Sequence, residues 1–156
     1  MADFEIIASP ETTYLYVERT ASMGGADIAE AMGSAFMEVF EFMTQAGIVS
    51  TQGAIAVYDD YTPGPSKFRA GFIIQDADAS KATGAVMAGK TPKGRAVHTT
   101  HFGAYSGMQK TYGEMHGFVK NAGVDFIAPT WEVYVNDPSQ VAEDDLITEC
   151  YQAIAG

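Results

Sequence analysis

The chain has 156 residues, 47% of them hydrophobic and 19% charged, a composition typical of one globular domain and not of a disordered segment. Its formal net charge of −11 argues against nucleic acid or an anionic membrane as a partner, because both require clustered lysine and arginine. The one cysteine, Cys150, excludes an intramolecular disulfide and a zinc site of several thiolates. Without a secretory signal or a long apolar run, the sequence predicts a cytoplasmic protein.

The first half of the chain predicts a strand, a helix and two more strands. Residues 12–20 are rich in β-branched and aromatic side chains, as strands are. The helix is predicted from apolar residues at helical spacing, namely Ile28, Met32, Ala35, Phe36, Val39 and Met43. Gly47 follows the last of them, where a left-handed helix cap favours glycine. Strands at 54–58 and 67–75 complete this half.

The second half repeats that order of elements after a short strand predicted at residues 84–89. A strand at 95–102 precedes a helix, whose periodic apolar residues are Met108, Tyr112, Met115, Phe118 and Val119. Gly123 takes the position of a helix cap. Two further strands are predicted at 130–135 and 145–154.

The two halves also align with each other. At an offset of 76 and without a gap, residues 32–58 and 108–134 share seven identities, among them Gly47/Gly123 and Tyr58/Tyr134. We therefore predict a single α+β domain over residues 1–156, built from duplicated strand–helix–strand–strand modules with pseudo-two-fold symmetry. The modules span about 1–76 and 92–156, joined by 77–91. We expect an antiparallel-rich sheet with both helices on the same side and a central ligand cleft.

Glu132 interrupts a run of strand formers. Alternation in a strand places Thr130, Glu132 and Tyr134 on one face and Trp131 and Val133 on the other. We expect the Trp131 face to pack against the helices and Glu132 to point away from them. The aligned residue in the first half is Ala56, so the carboxylate is specific to the second half. A carboxylate among aromatic rings has a raised pKa or a cationic partner, and either condition marks a site. The alternative is a solvated sheet face.

Other residues are candidates by their position. Tyr58, Tyr105, Tyr134 and Tyr151 are predicted to line the pocket with Trp131 and Glu149, and Met23 to lie at its mouth. Tyr112 replaces Phe36 of the first half and is predicted to be a core residue. His98 and His101 face opposite ways on a strand and cannot share an ion. No metal or cofactor is therefore predicted.

Several short motifs resemble one known family. They are "HFGAY" (101–105), "WEVYVNDP" (131–138) and "EDDLITECYQAI" (143–154), with "YLYVERT" (14–20), "AVYDDY" (56–61) and "KFRAGFIIQ" (67–75) in the first half. Their order and spacing resemble the GyrI-like small-molecule-binding domains, also called AraC-type effector-binding domains, over nearly the whole chain. The resemblance implies a cleft with aromatic walls and an acidic residue that receives cationic, lipophilic compounds. In that pattern Glu132 and Tyr134 match an E-x-Y strand, and Tyr105 matches the tyrosine of H-x-G-x-Y.

The resemblance leaves three functions to weigh. Because the chain begins at the first predicted strand, we expect a stand-alone member without a DNA-binding module. The first function is the sensing or sequestration of amphipathic aromatic, often cationic, small molecules. The second is a hydrolase that opens strained, cyclopropane-bearing or other electrophilic compounds. Glu132 would act as general acid/base or position a water, and Tyr105 or Tyr134 would polarise the leaving group. The third is inhibition of a protein partner through Glu143, Asp144 and Asp145. Ligand identity, turnover and oligomeric state stay open at this level.

Overall fold

The computed structural model describes residues 3–22, 26–59, 65–136 and 140–155. Its strands and helices follow the chain as β1 Glu5–Ser9, β2 Thr13–Ser22, α1 Ala26–Ala46, β3 Ala54–Tyr58, β4 Pro65–Ile73, β5 Met87–Lys90, β6 Gly94–Phe102, α2 Met108–Ala122, β7 Phe126–Tyr134 and β8 Ile147–Ile154. Short 3-10 helices lie at Asp76–Lys81, Tyr105–Gly107 and Glu143–Asp145. No helix in these ranges has both the length and the hydrophobicity needed to span a lipid bilayer.

The eight strands form one antiparallel sheet in the order β1-β6-β8-β7-β3-β4-β2-β5. β7 and β3 are neighbours in the middle of the sheet. Outward from them, β8 and β6 follow on one side, and β4 and β2 follow on the other. The predicted α+β fold with an antiparallel sheet is confirmed, and each half has the predicted order of elements. Duplication of the sequence itself stays a prediction.

Both helices cover the same face of the sheet, as predicted. Val39 and Met43 of α1 pack in one apolar cluster with Ala56 of β3. Met115 of α2 packs in another cluster with Cys150 of β8. Ala56 and Cys150 are the two cross-strand partners of Glu132, and paired residues share a face, so the two clusters lie on one side.

Each helix ends directly before its predicted glycine cap, α1 at Ala46 and α2 at Ala122. Gly47 and Gly123 have φ angles of 73° and 71°, in the left-handed region that only glycine adopts at little cost. The amide of Gly123 donates a hydrogen bond to Lys120 O, which closes the last turn of α2. The chain then turns back into the sheet, which places each helix across the strands of its own half.

The face of the sheet away from the helices is also buried. A third apolar cluster lies on this face and contains Tyr14, Tyr16, Ile55, Val57 and Trp131, all of them 7% exposed or less. The prediction that the Trp131 face meets the helices is therefore wrong. The prediction assumed that one face of the sheet packs against the helices and that the other is exposed to solvent. Because both faces are buried, an apolar side chain does not indicate which face the helices cover.

Two strand features were not predicted. β1 is a five-residue edge strand that pairs with β6, and its sequence EIIAS lacks the alternation that marks a strand. β7 begins at Phe126, four residues before the predicted start, with an irregular register between Phe126 and Thr130. Both features lie at the margins of the sheet, where the pattern of apolar residues is weakest.

Candidate functional site

Glu132 occupies the middle of the sheet. Its strand β7 lies between β3 and β8, where Ala56 and Cys150 are its direct partners. The glutamate is 7% exposed, and Ala56 and Cys150 are fully buried. Because both partners are small, the longer side chain of Glu132 has room to extend toward the helices. The sequence thus places one ionisable group deep under the helix layer.

Two tyrosine hydroxyls hold the carboxylate. Tyr134, two residues along β7, donates a hydrogen bond of 2.6 Å to Oε1, and Tyr112 of α2 donates one of 2.6 Å to Oε2. These are the short lengths of hydrogen bonds to an ionised oxygen. Glu132 forms no salt bridge within the described part of the chain. The carboxylate is therefore satisfied by two neutral donors and pairs with no cationic side chain of the described residues.

The environment of Glu132 raises its pKa. Burial is the largest cause, because it disfavours the charged form, and the hydrogen bonds from Tyr112 and Tyr134 and the nearby His101 oppose it. Burial, together with the charge of Glu132, raises the pKa of Tyr134 well above its ordinary value, so this tyrosine stays a donor. A carboxylate in this environment takes up a proton more readily than an exposed glutamate does.

Aromatic rings surround the carboxylate. The ring of Tyr134 meets Phe36 edge-on at 6.0 Å and Tyr105 at 5.7 Å. Tyr58 hydrogen-bonds Tyr134, and the Tyr134 hydroxyl lies 3.5 Å from the sulfur of Met32. Tyr105 is 40% exposed and forms the solvent side of the group. Of the predicted site residues, the structure brings Glu132, Tyr134, Tyr58 and Tyr105 together.

Tyr112 was predicted to be a core residue, but its hydroxyl is half of the hydrogen bonding to Glu132. The sequence held a signal for this role. In the alignment of the two halves, Phe36 becomes Tyr112 and Ala56 becomes Glu132, so the second half gains a hydroxyl and a carboxylate together. The structure shows that these two changes meet at a single hydrogen bond.

Three of the predicted ligand residues lie on the opposite face of the sheet. Trp131 and Tyr151 stack with their ring centres 5.2 Å apart. His98 lies against Tyr151 and contacts the carboxylates of Glu149 and Glu5 through its two ring nitrogens. Trp131, Tyr151 and Glu149 are therefore separated from Glu132 by the sheet. Burial, followed by the charge of Glu149, raises the pKa of Tyr151.

Met23 lies outside the described residues. Within the described residues, no three His, Cys, Asp or Glu side chains are arranged to hold a metal ion. Burial raises the pKa of the Cys150 thiol, which keeps it protonated. Glu143, Asp144 and Asp145 form an exposed 3-10 helix, and their binding of a protein partner stays a prediction.

Aromatic side chains with a few convergent polar groups, here tyrosine rings around a buried carboxylate, are typical of small-molecule-binding sites. The sequence comparison agrees with this class. Residues 2–155 match the GyrI-like small molecule binding domain family, and the chain belongs to that family. The resemblance seen in the sequence is confirmed, and small-molecule binding is the function of the class.

Solved structures share the fold. The EcmrR C-terminal domain is 16% identical with a TM-score of 0.76, over 99% of this chain and 97% of that chain. A hydrolase from Listeria innocua is 16% identical with a TM-score of 0.63, over 97% and 91%. SAV2435, solved bound to tetraphenylphosphonium, is 12% identical with a TM-score of 0.62, over 99% and 94%. No protein with curated function matches the sequence significantly.

Proposed function

We propose that the protein senses or sequesters amphipathic aromatic, often cationic, small molecules, with Glu132 as the counter-charge. The observation that carries this proposal is a carboxylate 7% exposed, bonded to two tyrosine hydroxyls and to no cationic side chain of the described residues. A buried charge without an ionic partner is costly. A bound cation removes that cost, and this provides a driving force that a neutral ligand lacks.

The aromatic rings around Glu132 support the same class of ligand. Tyr134, Phe36 and Tyr105 present ring faces and edges within a few ångströms of each other. Such rings bind the face of an aromatic ligand and stabilise a cation by the charge distribution of the ring. The structural similarity to SAV2435, which was solved with the lipophilic cation tetraphenylphosphonium, agrees with this choice.

The test compares two carboxamide variants with two ligands. Calorimetric titration of tetraphenylphosphonium and of the neutral triphenylphosphine oxide would be done on the wild type, Glu132→Gln and Glu149→Gln. We expect Glu132→Gln to lower the affinity for the cation about tenfold or more and to change that for the neutral compound little. Glu149→Gln is the matched control, because Glu149 lies on the other face of the sheet and is expected to leave both affinities unchanged. An equal loss for both ligands in Glu132→Gln would contradict the proposal.

A hydrolase is the second candidate. Burial raises the pKa of Glu132, which suits a general acid, and Tyr105 stands at the solvent side as a second proton donor. The similarity in fold to a hydrolase from Listeria innocua favours the same reading. Incubation with a cyclopropane-bearing electrophile and mass spectrometry tests it. A product heavier by one water that disappears in Glu132→Gln supports turnover, and unchanged substrate in the wild type argues against it.

A further inference from the structure

One buried polar group is left without a partner. Thr148 of β8 is 0% exposed. Among the buried side-chain oxygens and nitrogens of the described residues, its Oγ1 is the one that forms no hydrogen bond. Such groups are rare in folded proteins, because a buried hydroxyl loses its hydrogen bonds to water and gains nothing in return. Where one occurs, it calls for an explanation such as local strain, a functional role, or a bound water or ion.

Thr148 lies on the face that carries Glu132. It is the direct cross-strand partner of Tyr134 on one side and of His101 on the other. Residues paired in this way have Cβ atoms about 5 Å apart, and the diagonal neighbour Glu132 is about 7–8 Å from Thr148. The unpaired Thr148 hydroxyl therefore lies beside Glu132 and its two tyrosine donors. One small aromatic ligand can span the distance between Thr148 and Glu132.

The segment over this part of the sheet is the start of the 3-10 helix before α2. Ala104 O accepts a hydrogen bond of 2.9 Å from His101 Nε2, and the next residue, Tyr105, packs against the ring of Tyr134. The segment thus contacts both residues that flank Thr148. Because the other nitrogen of His101 is bonded to Thr111 at 2.8 Å, His101 has no remaining nitrogen for the Thr148 hydroxyl.

We propose that Thr148 Oγ1 is a specificity-determining group of the Glu132 site and selects ligands that carry a hydroxyl, carbonyl or amide beside their cationic centre. This inference rests on the proposed function of Glu132. The cationic centre lies at the carboxylate, and the polar group of the ligand reaches the Thr148 hydroxyl beside Tyr134. A hydroxyl that is already desolvated in the free protein makes its hydrogen bond to the ligand without a further desolvation cost of its own.

The probes are a matched pair of cations. Edrophonium is a small aromatic quaternary ammonium with a phenolic hydroxyl, and N-ethyl-N,N-dimethylanilinium is the same cation without that hydroxyl. Affinities of both would be measured by calorimetry, with tetraphenylphosphonium as a cation that has no hydrogen-bonding group. We expect the wild type to bind edrophonium about five- to tenfold more tightly than its deoxy analogue, which is the effect of one hydrogen bond.

Three variants separate the hydroxyl from its surroundings. Thr148→Val keeps the shape and removes the hydroxyl, so it should abolish the preference by weakening edrophonium alone. Thr148→Ser keeps the hydroxyl and should keep the preference. Thr99→Val is the matched control, because Thr99 is a buried threonine of the same face whose hydroxyl is satisfied by Asp3 O at 2.8 Å.

Unfolding by urea gives a readout independent of any ligand. Thr148→Val should keep or raise the unfolding midpoint, since no hydrogen bond is lost, whereas Thr99→Val should lower it. A clear fall of the midpoint in Thr148→Val would show that the hydroxyl is already bonded and would overturn the inference.

The outcomes separate the two proposals. If tetraphenylphosphonium binds through Glu132 but the wild type does not distinguish edrophonium from its analogue, the inference about Thr148 fails and the proposed function stands. An equal weakening of both probes in Thr148→Val has the same meaning. If none of the three cations binds the wild type, the proposed function fails, and the inference that depends on it fails with it.

Discussion

Ala56 and Glu132 face each other directly across the ladder between β3 and β7. They are 76 residues apart, which is also the offset at which the two halves of the sequence align. In an antiparallel ladder the sequence separation of paired residues changes from each pair to the next, so only one pair can be separated by that offset. A two-fold axis that related the halves would pass through this pair. The buried carboxylate therefore lies in the middle of the strand order, and the residue aligned with it from the first half is an alanine.

A second carboxylate at this centre should destabilise the protein. In Ala56→Glu two buried carboxylates would be direct neighbours, and like charges at that distance cannot both ionise. We expect the free energy of unfolding at neutral pH to fall by about 3 kcal/mol or more, and part of the loss to be recovered in acid. Urea unfolding at both pH values measures this. Ala56→Gln has nearly the same volume, so a loss that does not depend on pH in both variants would contradict the electrostatic explanation.

Glu132 should make the stability of the protein depend on pH. Its pKa in the folded state is raised by burial, so the folded state binds more protons than the unfolded state between the ordinary glutamate value and the raised value. Stability is therefore fully present below the ordinary value and falls as the pH rises through the raised one. Because other carboxylates titrate in acid, the measured quantity is the difference between wild type and Glu132→Gln. If this difference stays constant with pH, the assignment is wrong.

The hydroxyl of Tyr112 should be coupled to Glu132. Tyr112→Phe removes one of the two donors to the carboxylate, so we expect the free energy of unfolding to fall by about 1–2 kcal/mol at neutral pH. Since that bond lowers the pKa of Glu132, its loss should raise the pKa further. A double-mutant cycle with Glu132→Gln measures the coupling, which should be clearly smaller in the carboxamide background. Additive effects would show that Tyr112 acts only by packing.

Gly71 of β4 should tolerate no side chain. A Cβ built at this position lies 1.8 Å from the carbonyl oxygen of Leu15 in β2, which is backbone and cannot move aside cheaply. We expect Gly71→Ala to lower the free energy of unfolding by about 3 kcal/mol. Gly33→Ala is the matched control, since beyond its chain neighbours and the backbone of its own helix no atom lies within 4 Å of a Cβ built there. Alanine also favours a helix, so a gain of about 0.5–1 kcal/mol is expected. Equal effects in thermal or urea unfolding would contradict the close approach of β2 and β4.

The sequence predicted the fold well because its signals are local. Helical spacing from Ile28 to Met43 reflects burial on one side of α1, and the strand formers around Trp131 reflect a strand buried on both faces. Gly47 and Gly123 marked helix ends because their backbone conformation excludes most other residues. β1 was missed because a short edge strand, paired on one side, needs little of that pattern.

The surroundings of Glu132 were predicted in part, because the sequence signals are again local. Alternation along β7 grouped Glu132 with Tyr134 correctly, but the choice of which face meets the helices depends on contacts distant in sequence. The partner Tyr112 lies 20 residues away on α2, where its spacing is that of a core residue. Thr148 carries no signal at all in the sequence, because only the packed structure shows that its hydroxyl lacks a partner.

Trp131, the single tryptophan, stacks on Tyr151 on the face of the sheet opposite Glu132, so its fluorescence reports on that face. Its emission arises on the face away from Glu132, where the ring is 3% exposed. A small quencher that acts only on contact and occupies the tyrosine site should leave that fluorescence unchanged, whereas the same compound bound on the opposite face would dim it. A binding screen that monitors tryptophan quenching by contact would therefore miss a ligand bound on the Glu132 face of the sheet.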